Sequence, residues 1–264
     1  MCRFCWSRPH HKHAKLQQQM KRNLLSQFRK QFDEQAKLFR RLAFLTARSS
    51  SKDHVHDLRV CSRRLRAMLW ILKKDNSYYT DTCLLQDLKT LTNLLGEQRE
   101  LDIAIEDGRA YRLPVTGLLR SRHKTQRALQ RGLHKIEREK ILAEIQQVKN
   151  FLHASRSLRF EPALRKLDQE TRHWKNGKLR PGKLHEFRIS TKRIRYALEA
   201  FGLPVKPLQK LQDHLGDAHD LEILSEVLGK HRKVKKDERK YGLQAIRQAK
   251  PALTFAHKQF KAIL

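Results

Sequence analysis

The chain of 264 residues carries 58 Lys and Arg against 27 Asp and Glu, a formal net charge of +31, and an excess of that size opposes compaction unless an anion neutralises it. Hydrophobic residues make up 39%, below the average of about 45–50%, and no apolar run approaches the roughly 18 residues of a membrane-spanning helix; no membrane partner is expected, and a polyanion is the first ligand to consider. With seven Pro, ten Gly, long 3.6-residue periodicity and no convincing strand alternation, the expected fold is all-α, with length enough for two modest cores and two folding units.

Residues 1–14 read as a tail. Cys, His, Lys and Gln stand where a signal peptide would hold its apolar segment, so a cytoplasmic location is expected. Cys2 and Cys5 with His10, His11 and His13 have a spacing that zinc can use, but termini carry such clusters by chance and no metal or other cofactor is assigned. Lys15 to Ala47 is helical in pattern, and Ser49 to Ser51 make a turn.

Residues 56–72, HDLRVCSRRLRAMLWIL, form the first informative helix. At about 100° per residue, His56, Arg59, Arg63 and Arg66 fall within an arc of about 80°. Leu58, Cys61, Leu65, Met68, Leu69 and Leu72 occupy the opposite side, as a core-facing surface requires. A solvated helix face normally mixes Glu with Lys at i,i+4, because like charges repel there. Here Asp57 is the one nearby acid, so the counter-charge must come from a neighbouring helix or a ligand. Cys61 on the core side and Cys83 in an amphipathic run are expected as thiols in a reducing compartment.

Farther along, Lys74 to Asn76 end that helix, Leu84 to Leu95 forms the next, and Gly96 is expected to break it before Glu100 to Arg112 resumes. Pro114 opens a long basic helix, Val115 to about Ala154, and Ser155 to Ser157 mark a boundary. Pro162 starts a helix that stops at Asn176-Gly177, a glycine cap. Then comes LHEFRISTKRIRYALEAF. His185, Arg188, Lys192, Arg193 and Arg195 match His56, Arg59, Arg63, Arg64 and Arg66 at one constant offset, and Phe187, Ile194, Leu198 and Phe201 repeat the apolar face. LTNLLGEQRELDI (91–103) likewise matches LQDHLGDAHDLEI (211–223). A last helix runs from about Lys233 to Leu264. The chain therefore reads as an internal duplication, two pseudo-twofold-related four-helix bundles over 15–155 and 156–264.

Both motifs, each present twice and in order, resemble the CHAD domain, the conserved histidine α-helical domain, over nearly the whole chain after the first dozen residues. That resemblance implies two helical bundles around a central basic cavity, binding of inorganic polyphosphate, and association with polyphosphate granules. Carried over position by position, it implies that His56, Arg59, Arg63, Arg64 and Arg66 contact the anion, with His185, Arg188, Lys192, Arg193 and Arg195 as their mates. Arg64 and Arg193 sit about 80° from the stripe's histidine on the helical wheel. Glu100 stands where the family more often has Asp, and no triphosphate-tunnel domain, a frequent companion, precedes the module, so no catalysis is inferred from that companion.

Polyphosphate needs rows of cations and little else; Arg offers forked donors to phosphate oxygens and Lys a mobile charge. Nucleic acid is the rival ligand, since any phosphate backbone is drawn to net positive charge. Only Trp70 and Tyr196 accompany the stripes as base-stacking aromatics, which leaves nucleic acid a secondary, salt-sensitive partner. A third reading, metal-dependent polyphosphate hydrolysis, would place magnesium on Asp213, Asp217, Asp220 and Glu222. No phosphate-cradling glycine loop or phosphotransfer histidine motif is present, so no enzyme is expected, and a monomer is favoured. The acids Glu100, Asp102, Asp220 and Glu222 are expected to pair with a minority of the stripe cations, being too few for the rest.

Overall fold

In a computed structural model, residues 9–49, 51–74, 82–135 and 138–264 are described. Among them the chain is all-α: α1 (Pro9–Ser49), α2 (Lys52–Lys73), α3 (Thr82–Ala110), α4 (Thr116–Lys135), α5 (Arg138–Ala154), α6 (Glu161–Asn176), a short 3-10 turn at Pro181–Lys183, α7 (Leu184–Ala200), α8 (Lys206–Leu228) and α9 (Arg232–Ile263). Cys2 and Cys5 lie outside the described residues. Helix α1 begins at Pro9, inside the stretch read as a tail; a proline suits the first turn of a helix, where its missing N–H has no partner to lose. None of the described helices is long and apolar enough to cross a membrane.

Helix α2 is capped by Ser51, whose hydroxyl accepts from the His54 N–H at 3.2 Å, satisfying one of the donors a helix start leaves open. Its apolar face is buried as the pattern requires: Leu58, Cys61, Leu65, Met68, Leu69 and Leu72 are all inside. Cys61 donates weakly to the Gln35 carbonyl at 3.3 Å, and burial pushes its thiol up to about 12. Phe187, Ile194 and Leu198 on α7, and Phe201 just after it, are buried likewise.

Two turn expectations change. Helix α3 runs unbroken through Gly96, since an interior glycine costs a helix only about 1 kcal/mol; the glycine is buried under the Arg59 side chain, and a Cβ there would stand 3.6 Å from Arg59 Nη2. Gly177 does follow α6, but with φ −75° and ψ 156° it is extended rather than left-handed. Its role is close approach, since a Cβ would come within 2.9 Å of the His173 carbonyl oxygen. Positive φ is found instead at Gly229, 88° after α8, and at Gly202, 67° after α7, where the Leu203 N–H closes on the Leu198 carbonyl at 3.0 Å.

The main core does not divide at Ser155–Ser157. One continuous cluster takes side chains from both halves, and the rings of Phe28, Phe160 and Phe201, with centroids 5.0–5.4 Å apart, bind α1 to the second half. A smaller cluster of Ala104, Ile105, Leu118, Leu221, Leu224 and Val234 joins α3, α4, α8 and α9. Helix α2 packs against α7, and α3 against α8. The two cationic helices are thereby brought side by side, each half burying its apolar surface against the other.

Candidate anion-binding site

The helices α2 and α7 present their stripes to one cavity of ≈ 860 Å³. Arg59, Arg63 and Arg66 come from α2, and His185, Arg188, Lys192 and Arg193 from α7; α6 adds Lys166 and α8 adds His219. Against seven Lys and Arg side chains the wall holds a single carboxylate, Glu100, which sits 3.8 Å from Arg59 Nη2. Trp70 and Tyr196 are the wall's aromatic rings apart from histidine.

The consequences of that imbalance are visible in the protonation equilibria. Burial, reinforced by Arg188, Arg63 and Arg59, drives Lys192 down to about 6, with Asp220 opposing. Burial and Arg63 bring Arg59 to about 10, against the pull of Glu100, and burial lowers Arg188 while Asp220 opposes. Burial and Arg63 lower Arg66 as well. His219 falls to about 3 through burial, then Arg188 and Lys192. In each case taking a cation out of water beside like charges favours its neutral form. Arg59 Nε and Arg188 Nε are also buried without a hydrogen-bond partner among the described residues, and buried donors in that state are costly.

The rest of the stripe goes elsewhere. Arg64 turns to the opposite side of the α2–α7 contact, where its Nε donates to Glu199 at 3.0 Å. Arg195 shares the same carboxylate at 3.4 Å and lies 4.7 Å over the Tyr196 ring. Arg193 reaches the cavity wall but is held by Glu170 at 3.1 Å. His56 is largely exposed and outside the wall; partial desolvation and nearby Arg99 lower its pKa, with Asp57 opposing.

Of the acids expected to pair with the stripe, Glu100 meets Arg59, whereas Asp102 is taken by Arg122 of α4 at 2.6 Å and Glu222 lies 3.4 Å from His219. Asp220 is raised by burial, with Arg188, Lys192 and Arg99 pulling the other way. Among the described residues no three His, Cys, Asp or Glu side chains gather in a group able to hold a metal ion. Lys166 and His219 are cavity residues that the stripes alone do not reveal. The repeat held a signal for one of them: His219 aligns with Arg99, so a basic or ionisable side chain recurs two residues after each Gly-[Glu/Asp]. Lys166 has no such counterpart.

A family model described as the CHAD domain matches residues 26–229. The chain belongs to the CHAD domain family. The matched span of this CHAD domain includes both stripes and every wall residue named above. Among solved structures, the CHAD domain from the plant Ricinus communis is similar over 91% of this chain and 90% of its own, with a TM-score of 0.58 and 20% identity, a likeness of fold. PptA from Streptomyces chartreusis aligns over 90% of this chain and 99% of its own, with a TM-score of 0.49 and 15% identity. Among curated proteins there is no match.

Proposed function

We propose that this CHAD domain binds inorganic polyphosphate in the cavity between α2 and α7. The observation that carries the reading is the wall itself, seven Lys and Arg side chains against Glu100 alone, with buried guanidinium donors still open on Arg59 and Arg188. A phosphate chain supplies oxygen acceptors and negative charge along a line, which is what two facing cationic stripes lack. Arg59, Arg63 and Arg66 grip it from one side, Arg188 and Lys192 from the other, with His185 at the mouth. Lys192 gains a proton as the anion arrives. Arg64 ties α2 to α7 through Glu199 and Arg193 ties α7 to α6 through Glu170, while Arg195 pairs with Glu199 within α7.

Binding without hydrolysis is the matching chemical role, since the one wall carboxylate is engaged by Arg59 and leaves little to hold magnesium against a phosphoanhydride. In this reading the protein acts as a cytoplasmic monomer that associates with polyphosphate granules. Titration with polyphosphate, a single-stranded oligonucleotide and duplex DNA at one near-physiological salt concentration tests it. Polyphosphate is expected to bind tightest by at least tenfold. Equal affinity for all three, or a preference for either nucleic acid, overturns the assignment, because counterion release alone does not discriminate among polyanions.

A further inference from the structure

Helix α4 carries a further cationic row, outside the basic cavity. Leu118 and Leu129 are buried on its inner face, and Gly132 lets that face close on Leu94, whose Cδ1 would stand 3.0 Å from an added Cβ. On the opposite face Arg120, Lys124, Arg127 and Arg131 are all exposed. Their spacing of four, three and four residues keeps them within an arc of about 60°, in a row about 16 Å long.

The row has no counter-charge of its own. Thr116 to Lys135 contains no Asp or Glu, and none of the four cations has an ion-pair partner among the described residues. Arg122, turned inward, has Asp102 at 2.6 Å. Like charges at i,i+3 and i,i+4 oppose helix formation, so α4 keeps its row against a cost. The other basic helices mix their charges. On α1 Glu34 stands between Lys30 and Lys37, and on α9 Asp237 and Glu238 break the basic run, with Glu238 2.7 Å from Lys235.

The chemistry of the face narrows what can supply the missing charge. None of the exposed large hydrophobic side chains among the described residues lies on α4. A membrane-surface helix needs a free apolar face to insert, and a protein partner needs aromatic or apolar anchors; the outer face of α4 offers neither. A flexible polyanion laid on a convex, solvated row gives up conformational freedom for ion pairs worth little each. A nucleic-acid duplex is already stiff, with a persistence length of about 50 nm, and carries one charge per about 1.7 Å of its axis. It can meet a rigid row of cations without first being ordered by it.

We propose that the outer face of α4 binds the phosphate backbone of a nucleic-acid duplex, independently of the cavity between α2 and α7. Ser121 and Ala128, small and exposed beside the row, let the strand come close to the cations. The chain then has two polyanion sites of different shape, an enclosed one for a flexible phosphate chain and an open one for a stiff duplex.

The test is fluorescence anisotropy of the full chain with a short labelled DNA duplex, and with a single strand carrying the same number of phosphates, over a series of salt concentrations. The duplex is expected to bind at least threefold tighter than the single strand. Replacing Arg120, Lys124, Arg127 and Arg131 together by Gln is expected to cost at least tenfold in duplex affinity. It should also flatten the slope of log affinity against log salt by about 3, near the 0.9 per lost phosphate contact of duplex DNA. Replacing Lys30, Lys37, Arg40 and Arg41, four exposed cations of α1, by Gln removes the same charge and is expected to cost less than threefold. Glutamine suits a helix, and circular dichroism checks both proteins. The Arg63→Glu, Lys192→Glu protein, again four charges less positive, is expected to keep duplex affinity within fivefold while losing polyphosphate. Equal losses in the α4 and α1 variants, a single strand bound as tightly as the duplex, or duplex binding lost with the cavity reversal overturns the α4 site. None of these outcomes touches the polyphosphate reading, which fails separately if the cavity reversal leaves polyphosphate affinity unchanged.

Discussion

Lys192 concentrates the electrostatics of the site. It faces Arg59, Arg63 and Arg188, with Asp220 the opposing charge. Its folded-state pKa of about 6 lies below the ordinary lysine value of about 10.4, so between those limits the unfolded chain binds more protons and stability of the unliganded protein rises with pH. Lys192→Met is expected to flatten that rise and to stabilise the unliganded protein at pH 7 by on the order of 1 kcal/mol, a gain of about 2–4 °C in Tm at this size. Polyphosphate reverses the sign, since it favours the charged amine. Affinity should therefore strengthen as pH falls from 8 to 6, with proton uptake seen by calorimetry in two buffers of different ionisation enthalpy. Uptake that is unchanged in Lys192→Met would remove this lysine from the site. The stripe's other arginines separate by readout. Glu199 compensates both Arg64 and Arg195, so Glu199→Ala should cost about 1–3 kcal/mol of stability and leave polyphosphate affinity within twofold. Arg63→Ala should do the reverse, sparing Tm while weakening binding by roughly ten- to a hundredfold, the equivalent of about 1.5–3 kcal/mol for a hydrogen bond to a charged group. Melting and titration of the two variants side by side check the division.

At the scale of the helix, α3 provides the clearest case. A glycine in a helix interior costs about 1 kcal/mol relative to alanine, and the space at Gly96 leaves an added Cβ in ordinary contact with Arg59, at 3.6 Å. Gly96→Ala is thus expected to raise Tm by up to about 2–4 °C; a fall would mean that the helix needs the glycine's freedom there. The example also marks what local patterning reveals. The wheel of α2 separated Leu58, Leu65, Leu69 and Leu72 from Arg59, Arg63 and Arg66 correctly because both faces follow one 3.6-residue period. It could not say that Arg64 meets Glu199 or that Arg193 meets Glu170, since those acids arrive by tertiary packing from α7 and α6. Nor could it show that α3 continues past Gly96, where the roughly 1 kcal/mol cost of an interior glycine is small beside the packing of the helix on either side. Lys166 joins the cavity from α6 for the same reason, with no repeated partner to flag it.

For the whole molecule the governing fact is one main core shared by both halves. Neither half buries its apolar faces alone, so calorimetry should show a single unfolding transition, shifted upward by polyphosphate because a ligand of the folded state stabilises it by mass action; two resolved transitions would mean independent halves. The net charge of +31 raises the remaining question of whether polyphosphate sees a site or only a basic body, and charge-matched reversals answer it. Lys233 and Lys236 are exposed on α9, away from the cavity wall, whereas Arg63 and Lys192 face each other across it. Reversing either pair to Glu changes the net charge by the same amount. With folding confirmed by circular dichroism, the Arg63→Glu, Lys192→Glu protein should lose at least a hundredfold in polyphosphate affinity at near-physiological salt. The Lys233→Glu, Lys236→Glu protein should lose only a few-fold, mostly through association rate and salt dependence, as peripheral charges do. Equal losses in two folded proteins would contradict a defined site between α2 and α7.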